Sequence, residues 1–326
     1  MDESRFALAL LSGVELRSTR TGQPEGLVTE AGQARRLVRA GDAIYSLGPQ
    51  HLAVLDGKTL QHKKTLELGG IARDTGVGAT DRRALVSLPG LHSIAILSTE
   101  LHVELDRIRF GDDALGGVAI DDTGKRALAT TGEVPVPGLV EGKGGAVYAF
   151  DPSRLASEQD RVRASMVGNP AGVMMVPDGK TSLVALRAKN KIVPLTWDAS
   201  GAVRQQDPIE ACDQPEQIAL ARLRRQAVVR CAAGKAIEVV DITRKSVVRH
   251  VPLEGTPTDL LITPDAERAV ISLSLTQGGA IVLLDLGTLD TEVVPLTEPA
   301  SRVRISPDGK TILALSDRAK VAWVIR

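Results

Sequence analysis

Short runs of alternating apolar residues recur along the chain and are separated by turn residues. The clearest unit is an apolar run, then Pro-Asp-Gly-Lys, then a second apolar run, at residues 173–186 and 303–315. Weaker copies lie at 118–125 and 260–267, and residues 218–225 keep the apolar pattern but lose the glycine. Asp-Gly between two apolar runs favours a β-hairpin, because glycine adopts positive φ at little cost. The pattern predicts a series of antiparallel hairpins.

A second pattern closes each unit with alternating apolar residues, usually followed by aspartate. Seven copies begin at Leu52, Ile94, Ala146, Ile192, Ile237, Ile281 and Val321. The aspartate is expected to accept hydrogen bonds from the backbone of the next turn. The apolar residues Ile120, Met175, Leu220, Ile262 and Ile305 hold equivalent positions, with spacings of 55, 45, 42 and 43 residues. Four-stranded units at this period are typical of β-propeller blades.

These repeats predict an all-β fold, a single seven-bladed β-propeller over residues 1–326 with four antiparallel strands in each blade. Because the chain ends after a third strand, the N-terminal segment at about 5–17 is expected to complete the last blade and so remove a free sheet edge. The blades are predicted at about 34–69, 70–112, 113–168, 169–212, 213–255, 256–298 and 299–326.

The Pro-x-x-apolar start, the Pro-Asp-Gly-Lys turn and the apolar run ending in aspartate resemble the YVTN repeat of lactonase-like seven-bladed propellers. The resemblance extends from about residue 34 to 326, but Tyr-Val-Thr-Asn itself is replaced at 183–186, 269–272 and 313–316. It implies the propeller fold. Some members of this group hydrolyse sugar lactones, and many are surface or periplasmic proteins that act by binding.

Composition and charge exclude several classes of function. The 40 basic and 40 acidic residues balance, so no overall field attracts nucleic acid. No stretch approaches the roughly 20 apolar residues of a membrane span, and we expect no membrane insertion. The apolar run at 6–11 follows Asp2 and Glu3 and is interpreted as a strand rather than a secretion signal.

No catalytic constellation, metal cluster, phosphate loop or cofactor motif is recognisable in the sequence. The five histidines show no His-x-His or His-x-x-x-His spacing, and no Cys-x-x-Cys occurs. We therefore expect no catalytic residues, no metal and no cofactor, and we interpret the histidines as solvated surface residues. They are His51, His62, His92, His102 and His250.

Polar residues near the start of each first strand are expected to lie at the mouth of the propeller channel. Asp74, Gln217, Asp259 and Arg302 are the candidate ligand-binding residues there. The alternative is that these groups only bind ordered water. A lactonase-like hydrolase acting on a small sugar lactone would need Asp259 and Arg302 as its acid–base and anion-binding groups.

The longest departure from the repeat is the Pro- and Gly-rich segment 131–145. It is expected to form a long loop on the channel-mouth face, and loops of this length are uncommon unless they have a function. Its apolar residues are candidate contacts to a protein partner, with a merely solvated loop as the alternative. These residues are Val134, Val136, Leu139 and Val140.

The chain contains two cysteines, Cys212 and Cys231. The strands on either side of the 222–225 turn are antiparallel, so both cysteines reach the same end of one hairpin. They are either ordinary buried thiols or a disulfide. A disulfide would indicate an oxidising compartment, periplasmic or extracellular, with a cytoplasmic location as the alternative.

The sequence thus favours a non-catalytic binding scaffold for a protein partner, in the cell envelope or secreted. The lactonase-like hydrolase is the alternative. The oligomeric state and the identity of the partner are left open.

Overall fold

The computed structural model describes residues 5–78, 80, 82–113, 115–131, 145–154, 162–166, 168–198 and 201–326. In these residues 31 strands form eight antiparallel sheets, and the only helical segments are short 3-10 turns. The architecture is an all-β propeller of eight blades. The chain divides into two compact units, Met1–Val167 with Trp197–Val203 and Gly168–Thr196 with Arg204–Arg326. No helix in the described part of the chain is long and apolar enough to cross a membrane.

Strands β1 to β15 form the first four sheets, and hydrogen-bonded neighbours are consecutive in the chain. The first sheet has three strands and the next three have four. The strands are β1 (Arg5–Leu10), β2 (Gly13–Ser18), β3 (Pro24–Val28), β4 (Arg36–Ala40), β5 (Ala43–Leu47), β6 (His51–Asp56), β7 (His62–Glu67), β8 (Thr75–Val77), β9 (Arg83–Leu88), β10 (Ser93–Ser98), β11 (Val103–Arg109), β12 (Leu115–Ile120), β13 (Ala127–Thr131), β14 (Ala146–Phe150) and β15 (Val162–Ser165).

Strands β16 to β31 form the other four sheets. The fifth sheet has the order β16-β17-β18-β19, with β20 also paired to β18, and the last sheet has three strands. The strands are β16 (Pro170–Met175), β17 (Thr181–Leu186), β18 (Lys191–Trp197), β19 (Val203–Gln205), β20 (Ile209–Glu210), β21 (Pro215–Ala221), β22 (Gln226–Cys231), β23 (Ala236–Asp241), β24 (Ser246–Pro252), β25 (Thr256–Ile262), β26 (Arg268–Ser274), β27 (Gly279–Asp285), β28 (Thr291–Leu296), β29 (Arg302–Ile305), β30 (Ile312–Ser316) and β31 (Val321–Ile325).

The prediction of seven blades is wrong, because the N-terminal segment forms a sheet of its own. Strand β1 pairs with β2 from Arg5↔Ser18 to Leu10↔Gly13, and β2 pairs with β3. A tight turn before Gly13 makes this hairpin possible: Gly13 has φ 142°, and a Cβ there would lie 2.3 Å from the Val28 carbonyl oxygen. The segment therefore does not supply a closing strand to the last sheet. Among the described strands, β31 pairs with β30 only.

The repeated turns are held by aspartate side chains. In the Pro-Asp-Gly-Lys hairpin, Asp178 Oδ1 accepts hydrogen bonds from the backbone N–H of Lys180 and Thr181, at 2.7 and 2.8 Å. After the third strand, Asp285 Oδ1 accepts from the backbone N–H of Gly287 and Thr288. These hydrogen bonds hold the pKa of the Asp285 carboxyl below its usual range.

The apolar core lies between the faces of consecutive sheets. One cluster joins Ile192 and Leu183 to Ile218, Val229 and Val240, and thus connects the sheet of β16–β20 to that of β21–β24. The third strands are buried on both faces, as expected for sheets covered on both sides. A charged side chain on such a strand is therefore unusual.

Candidate functional site

Irregular pairing at the start of the first strands places polar residues at one edge of the blades. The register of β21 with β22 shifts between Pro215 and Gln217, and that of β25 with β26 shifts between Pro257 and Asp259. A bulge leaves one residue of the strand unpaired, here Glu216 and Thr258. Gln217 and Asp259 follow directly after these residues, and each hydrogen-bonds to the next sheet.

Asp74 joins three consecutive sheets of the first unit. Its Oδ1 accepts a hydrogen bond from Arg36 Nη1 at 2.7 Å, and its Oδ2 accepts one from the backbone N–H of Val118 at 2.9 Å. Its own N–H donates to Ser87 Oγ at 2.9 Å. Both carboxylate oxygens are used to connect strands.

Asp259 repeats this arrangement in the second unit. Its Oδ1 accepts from Gln217 Nε2 at 3.1 Å, and its Oδ2 accepts from the backbone N–H of Val303 at 3.0 Å. The backbone donor lies 44 residues after the aspartate, the same separation as between Asp74 and Val118. The two aspartates thus hold equivalent positions in the repeat, and each carboxylate connects its own sheet to the sheet before it and the sheet after it.

Gln217 continues the network toward a nearly buried guanidinium. Its Oε1 accepts from Arg230 Nε at 3.1 Å, and Arg230 Nη2 lies 2.8 Å from Glu216 Oε2. Glu216 also pairs with Arg187 at 3.1 Å. A chain of ion pairs and hydrogen bonds therefore runs from the end of β17 through Gln217 to Asp259.

Arg302 forms an ion pair at the end of the last sheet, and another arginine lies beside the Asp259 carboxylate. Arg302 Nε lies 3.7 Å from Asp317 Oδ2, whereas Arg304 Nη1 lies 3.5 Å from Asp259 Oδ2. The structure brings Gln217 and Asp259 together, and Asp74 makes its contacts in the first unit. Ligand binding by these four residues stays a prediction. No histidine in the described residues hydrogen-bonds to Asp259, so the hydrolase alternative gains no support from this geometry.

The candidate partner-binding loop lies outside the described residues. Val134, Val136, Leu139 and Val140 all belong to it, and their role stays a prediction. The strands that flank it are described: β13 ends at Thr131, whose hydroxyl accepts a hydrogen bond from the Ala146 N–H at 2.8 Å.

Two of the histidines that the sequence suggested were solvated are half-buried and have partners. His102 Nδ1 lies 3.2 Å from the Tyr45 hydroxyl, and His51 Nε2 lies 3.2 Å from the Ala31 carbonyl oxygen. Burial lowers the pKa of His102 and raises the pKa of Tyr45 to about 12. These contacts are part of the packing of the first unit.

Cys212 and Cys231 are joined by a disulfide, with their Cα atoms 5.9 Å apart. Beside them Glu238 is 6% exposed and accepts a hydrogen bond from the Cys212 N–H at 2.9 Å. His250 Nδ1 lies 3.2 Å from the other carboxylate oxygen of Glu238. The disulfide favours an oxidising, non-cytoplasmic compartment.

A surface groove of about 510 Å³ lies in the second unit. Its lining includes the apolar residues Val176, Leu220 and Ile242 and the charged residues Asp178, Arg222 and Arg225. The two arginines belong to the turn that replaces Pro-Asp-Gly-Lys between β21 and β22. Leu223, at the tip of the same turn, is 78% exposed. The groove thus offers an apolar surface beside two arginines and one aspartate.

Sequence reasoning missed Glu238, His250 and the groove. The signal for Glu238 in the sequence is a single charge inside the run Ile237-Glu-Val-Val-Asp241, which ordinary strand alternation also explains. The signal for the groove is the basic turn Arg222-Leu-Arg-Arg225, where the repeat loses its glycine.

The fold defines the class of protein: an eight-bladed β-propeller domain. No family model and no curated protein sequence matches the chain, so the YVTN resemblance is not confirmed. The fold is similar to the β-propeller domain of Myceliophteria thermophila Cps50 (Swd1), with a TM-score of 0.65 and 10% identity over 89% of this chain and 98% of that one.

Two further solved structures share the fold. A functionally unknown protein from Desulfotomaculum acetoxidans DSM 771 matches with a TM-score of 0.66 and 12% identity over 89% of this chain and 90% of that one. The dihydro-heme d1 dehydrogenase NirN, solved in complex with DHE, matches with a TM-score of 0.65 and 16% identity over 92% of this chain and 65% of that one. At these identities the likeness shows the fold alone.

Proposed function

We propose that the chain is a non-catalytic binding scaffold for a protein partner, in a periplasmic or extracellular setting. The observation that carries this proposal is the engagement of both inner-strand carboxylates. Asp74 and Asp259 each use both oxygens on hydrogen bonds between sheets. A general acid or base needs an accessible carboxylate within reach of its substrate. These groups hold blades together instead, which leaves function to the surface.

The groove of the second unit is the surface that best fits a protein partner. Arginine is enriched at the centres of protein interfaces, and an exposed leucine beside it gains free energy when a partner removes its apolar surface from water. Arg225 and Leu223 are both exposed, and apolar Leu220 and Ile242 lie behind them. The two arginines outnumber Asp178 in the lining, so a partner segment that carries acidic and apolar side chains fits the groove best. The loop at 133–143 is proposed separately as a partner contact.

The test starts with chemical crosslinking of the purified chain in native extract, and the partner found is then purified. Its affinity is measured for the wild type, Leu223→Ser, Arg225→Glu and a variant lacking 133–143. Leu101, 67% exposed on a turn of the first unit, gives the matched control Leu101→Ser. Leu223→Ser and Arg225→Glu are each expected to weaken binding about tenfold, or about 1.4 kcal/mol, and Leu101→Ser to leave it unchanged. Equal affinity for all four variants would overturn the proposal.

A further inference from the structure

One blade of the second unit departs from the repeat at three neighbouring positions, which lie beside Cys212. Counting back three residues from the aspartate that ends each third strand gives Glu238, and the equivalent residues in other blades are Ala53, Tyr148, Leu195 and Val282. Cys231 faces Pro215 in the ladder, as Leu186 faces Pro170 and Leu273 faces Pro257. His250 lies opposite Glu238, where the next blade has Val293 opposite Val282.

These departures are side chains that bind metal ions, and they replace residues that only pack. The Sγ atoms of Cys212 and Cys231 and a carboxylate oxygen of Glu238 all lie within 4.8 Å of one another. All three residues are buried. His250 Nδ1 is 3.2 Å from Glu238 and faces solvent with 53% of its side chain exposed. Packing alone does not account for the carboxylate of Glu238, because burying a charge costs free energy. Val282, at the equivalent position of the next blade, packs without this cost.

We propose that the reduced chain binds one zinc ion through Cys212, Cys231, Glu238 and His250, and that the disulfide is the metal-free form of the same site. Two thiolates, a carboxylate and an imidazole are ligand types that zinc accepts in tetrahedral sites. Bond lengths of about 2.3 Å to sulfur and 2.0–2.2 Å to oxygen and nitrogen place tetrahedral ligand atoms about 3.3–3.8 Å apart. The three buried ligand atoms lie within 4.8 Å of one another. His250 is outside this group and hydrogen-bonds to the Glu238 carboxylate from the solvent side, so its exposed ring must turn to supply the fourth ligand.

Exchange between the two forms is a thiol–disulfide reaction. The zinc-bound thiolates of Cys212 and Cys231 are oxidised by a small disulfide such as oxidised glutathione, which accepts the two electrons. One Cys thiolate attacks that disulfide and releases one glutathione thiolate, and the second Cys thiolate then displaces the other. Both glutathione thiolates take up protons, the Cys212–Cys231 bond forms and Zn²⁺ leaves. Metal release and disulfide formation are thus one event.

The experiment uses the full, untagged chain and cobalt(II) as a spectroscopic probe that takes zinc's place. The chain is purified under a non-chelating phosphine reductant and titrated with Co²⁺, and Zn²⁺ is then added to displace it. The expected result is one Co²⁺ per chain, with the absorption of a tetrahedral thiolate site that Zn²⁺ abolishes. The air-oxidised chain is expected to show no such absorption. Zn²⁺ is also expected to protect both thiols from alkylation.

Variants identify the ligands. Glu238→Gln keeps the side-chain shape and the acceptor for the Cys212 N–H but removes the charge, and His250→Ala changes a largely exposed side chain. Each is expected to weaken Co²⁺ binding at least tenfold. His62→Ala alters a histidine on β7, an outer strand of another sheet, and is expected to bind as the wild type does.

Three results would each overturn the proposal. The reduced wild type takes up no Co²⁺ or Zn²⁺ while circular dichroism shows it folded, the oxidised chain binds as tightly as the reduced one, or His250→Ala and Glu238→Gln bind like His62→Ala. Because His250 is on an exposed outer strand, its variant tests the site even where a buried substitution disturbs folding.

Discussion

The sheets β21–β24 and β25–β28 are neighbours in the repeat and differ in one instructive respect. Each pairs its four strands in chain order, carries a bulge after the first proline and ends its third strand in aspartate. The second sheet has Leu273, Val282 and Val293 where the first has Cys231, Glu238 and His250. Both sheets form a complete blade, so the shared features are sufficient for this structure and the three differing side chains are not required for it.

The comparison shows which side chain at this strand position is sufficient for folding and which is only compatible with it. An apolar side chain at position 282 is sufficient to build a complete blade, so folding alone does not select the carboxylate at position 238. Glu238 is accepted because its oxygens have partners in the Cys212 N–H and His250 Nδ1. A carboxylate at 282 would face Leu260 and Ile271 instead.

Placing each of the two residues at the other's position, in two separate variants, is expected to give the largest effect on the free energy of unfolding. Val282→Glu places an unpaired charge among apolar side chains and should lower the free energy of unfolding by roughly 3–5 kcal/mol. Glu238→Val removes a buried charge but leaves the Cys212 N–H without its acceptor, and should cost only about 1–2 kcal/mol. Urea denaturation of both variants measures the difference. Equal losses would mean that Glu238 is as poorly accommodated as its counterpart would be.

Removing the disulfide, which only the first of the two sheets contains, is expected to give the next largest loss of stability. The bond closes a loop with a sequence separation of 19 residues, and in the chain-entropy model its loss costs about 3 kcal/mol. The double variant Cys212→Ala/Cys231→Ala is therefore expected to unfold at lower urea than the oxidised wild type, and to be insensitive to reductant. Thiol counting in denatured, non-reduced wild type from its native source should find no free thiol. Two free thiols there would contradict the assignment of an oxidising compartment.

How far the sequence determines the fold can be argued from individual strands. The alternating apolar runs and Asp-Gly turns predict the antiparallel hairpins from β4 onward, because the turn residues there have specific backbone requirements. The expectation that the N-terminal segment supplies one closing strand is wrong, and the segment forms β1–β3 instead. These strands carry neither the Pro-Asp-Gly-Lys turn nor the closing aspartate, so the repeat pattern does not identify them. Their hairpin depends on Gly13, and one glycine after Leu-Ser is a weak local signal.

For the candidate site, the sequence predicts only those contacts that follow from equivalent positions in the repeat. Gln217 and Asp259 were expected near one another because both precede the same apolar position, and the structure shows them hydrogen-bonded. That Asp259 would bond to the Val303 N–H was not predictable, since the bond depends on how one sheet stacks on the next. The meeting of Glu238 with Cys212 likewise depends on the packing of a loop against β23.

Truncating the equivalent first-strand residues should rank them by the bonds they make. Asp259→Ala removes the acceptor for the Val303 N–H and for Gln217, and is expected to cost about 2–3 kcal/mol, as for hydrogen bonds to a charged group. Gln217→Ala in the neighbouring blade removes the hydrogen bonds to Asp259 and Arg230, but both of these charged groups keep other partners, so it should cost only about 1–2 kcal/mol. Arg302→Ala breaks a surface pair and should cost under about 1 kcal/mol. Denaturation midpoints that reverse this order would show that Asp259 is not a structural link.

Both blades share the aspartate that holds the turn after the third strand. Protonating this aspartate in acid is expected to give the smallest loss of stability among these tests. Backbone N–H groups of Thr288 and Gly287 lower the pKa of Asp285 in the folded chain, so folding favours the ionised form. This stabilisation is present above the unfolded pKa of about 3.9 and is lost as pH falls through the lower folded value. Asp285→Asn keeps a side-chain oxygen as acceptor but does not titrate, so the stability lost by the wild type between pH 6 and pH 3 should be smaller in the variant. Asp290, at the end of the same turn, provides the control Asp290→Asn, because it takes part in the turn through its N–H, which donates to Thr288 Oγ1. If Asp285→Asn lost as much stability in acid as the wild type, the shared turn would not be held by the ionised carboxylate.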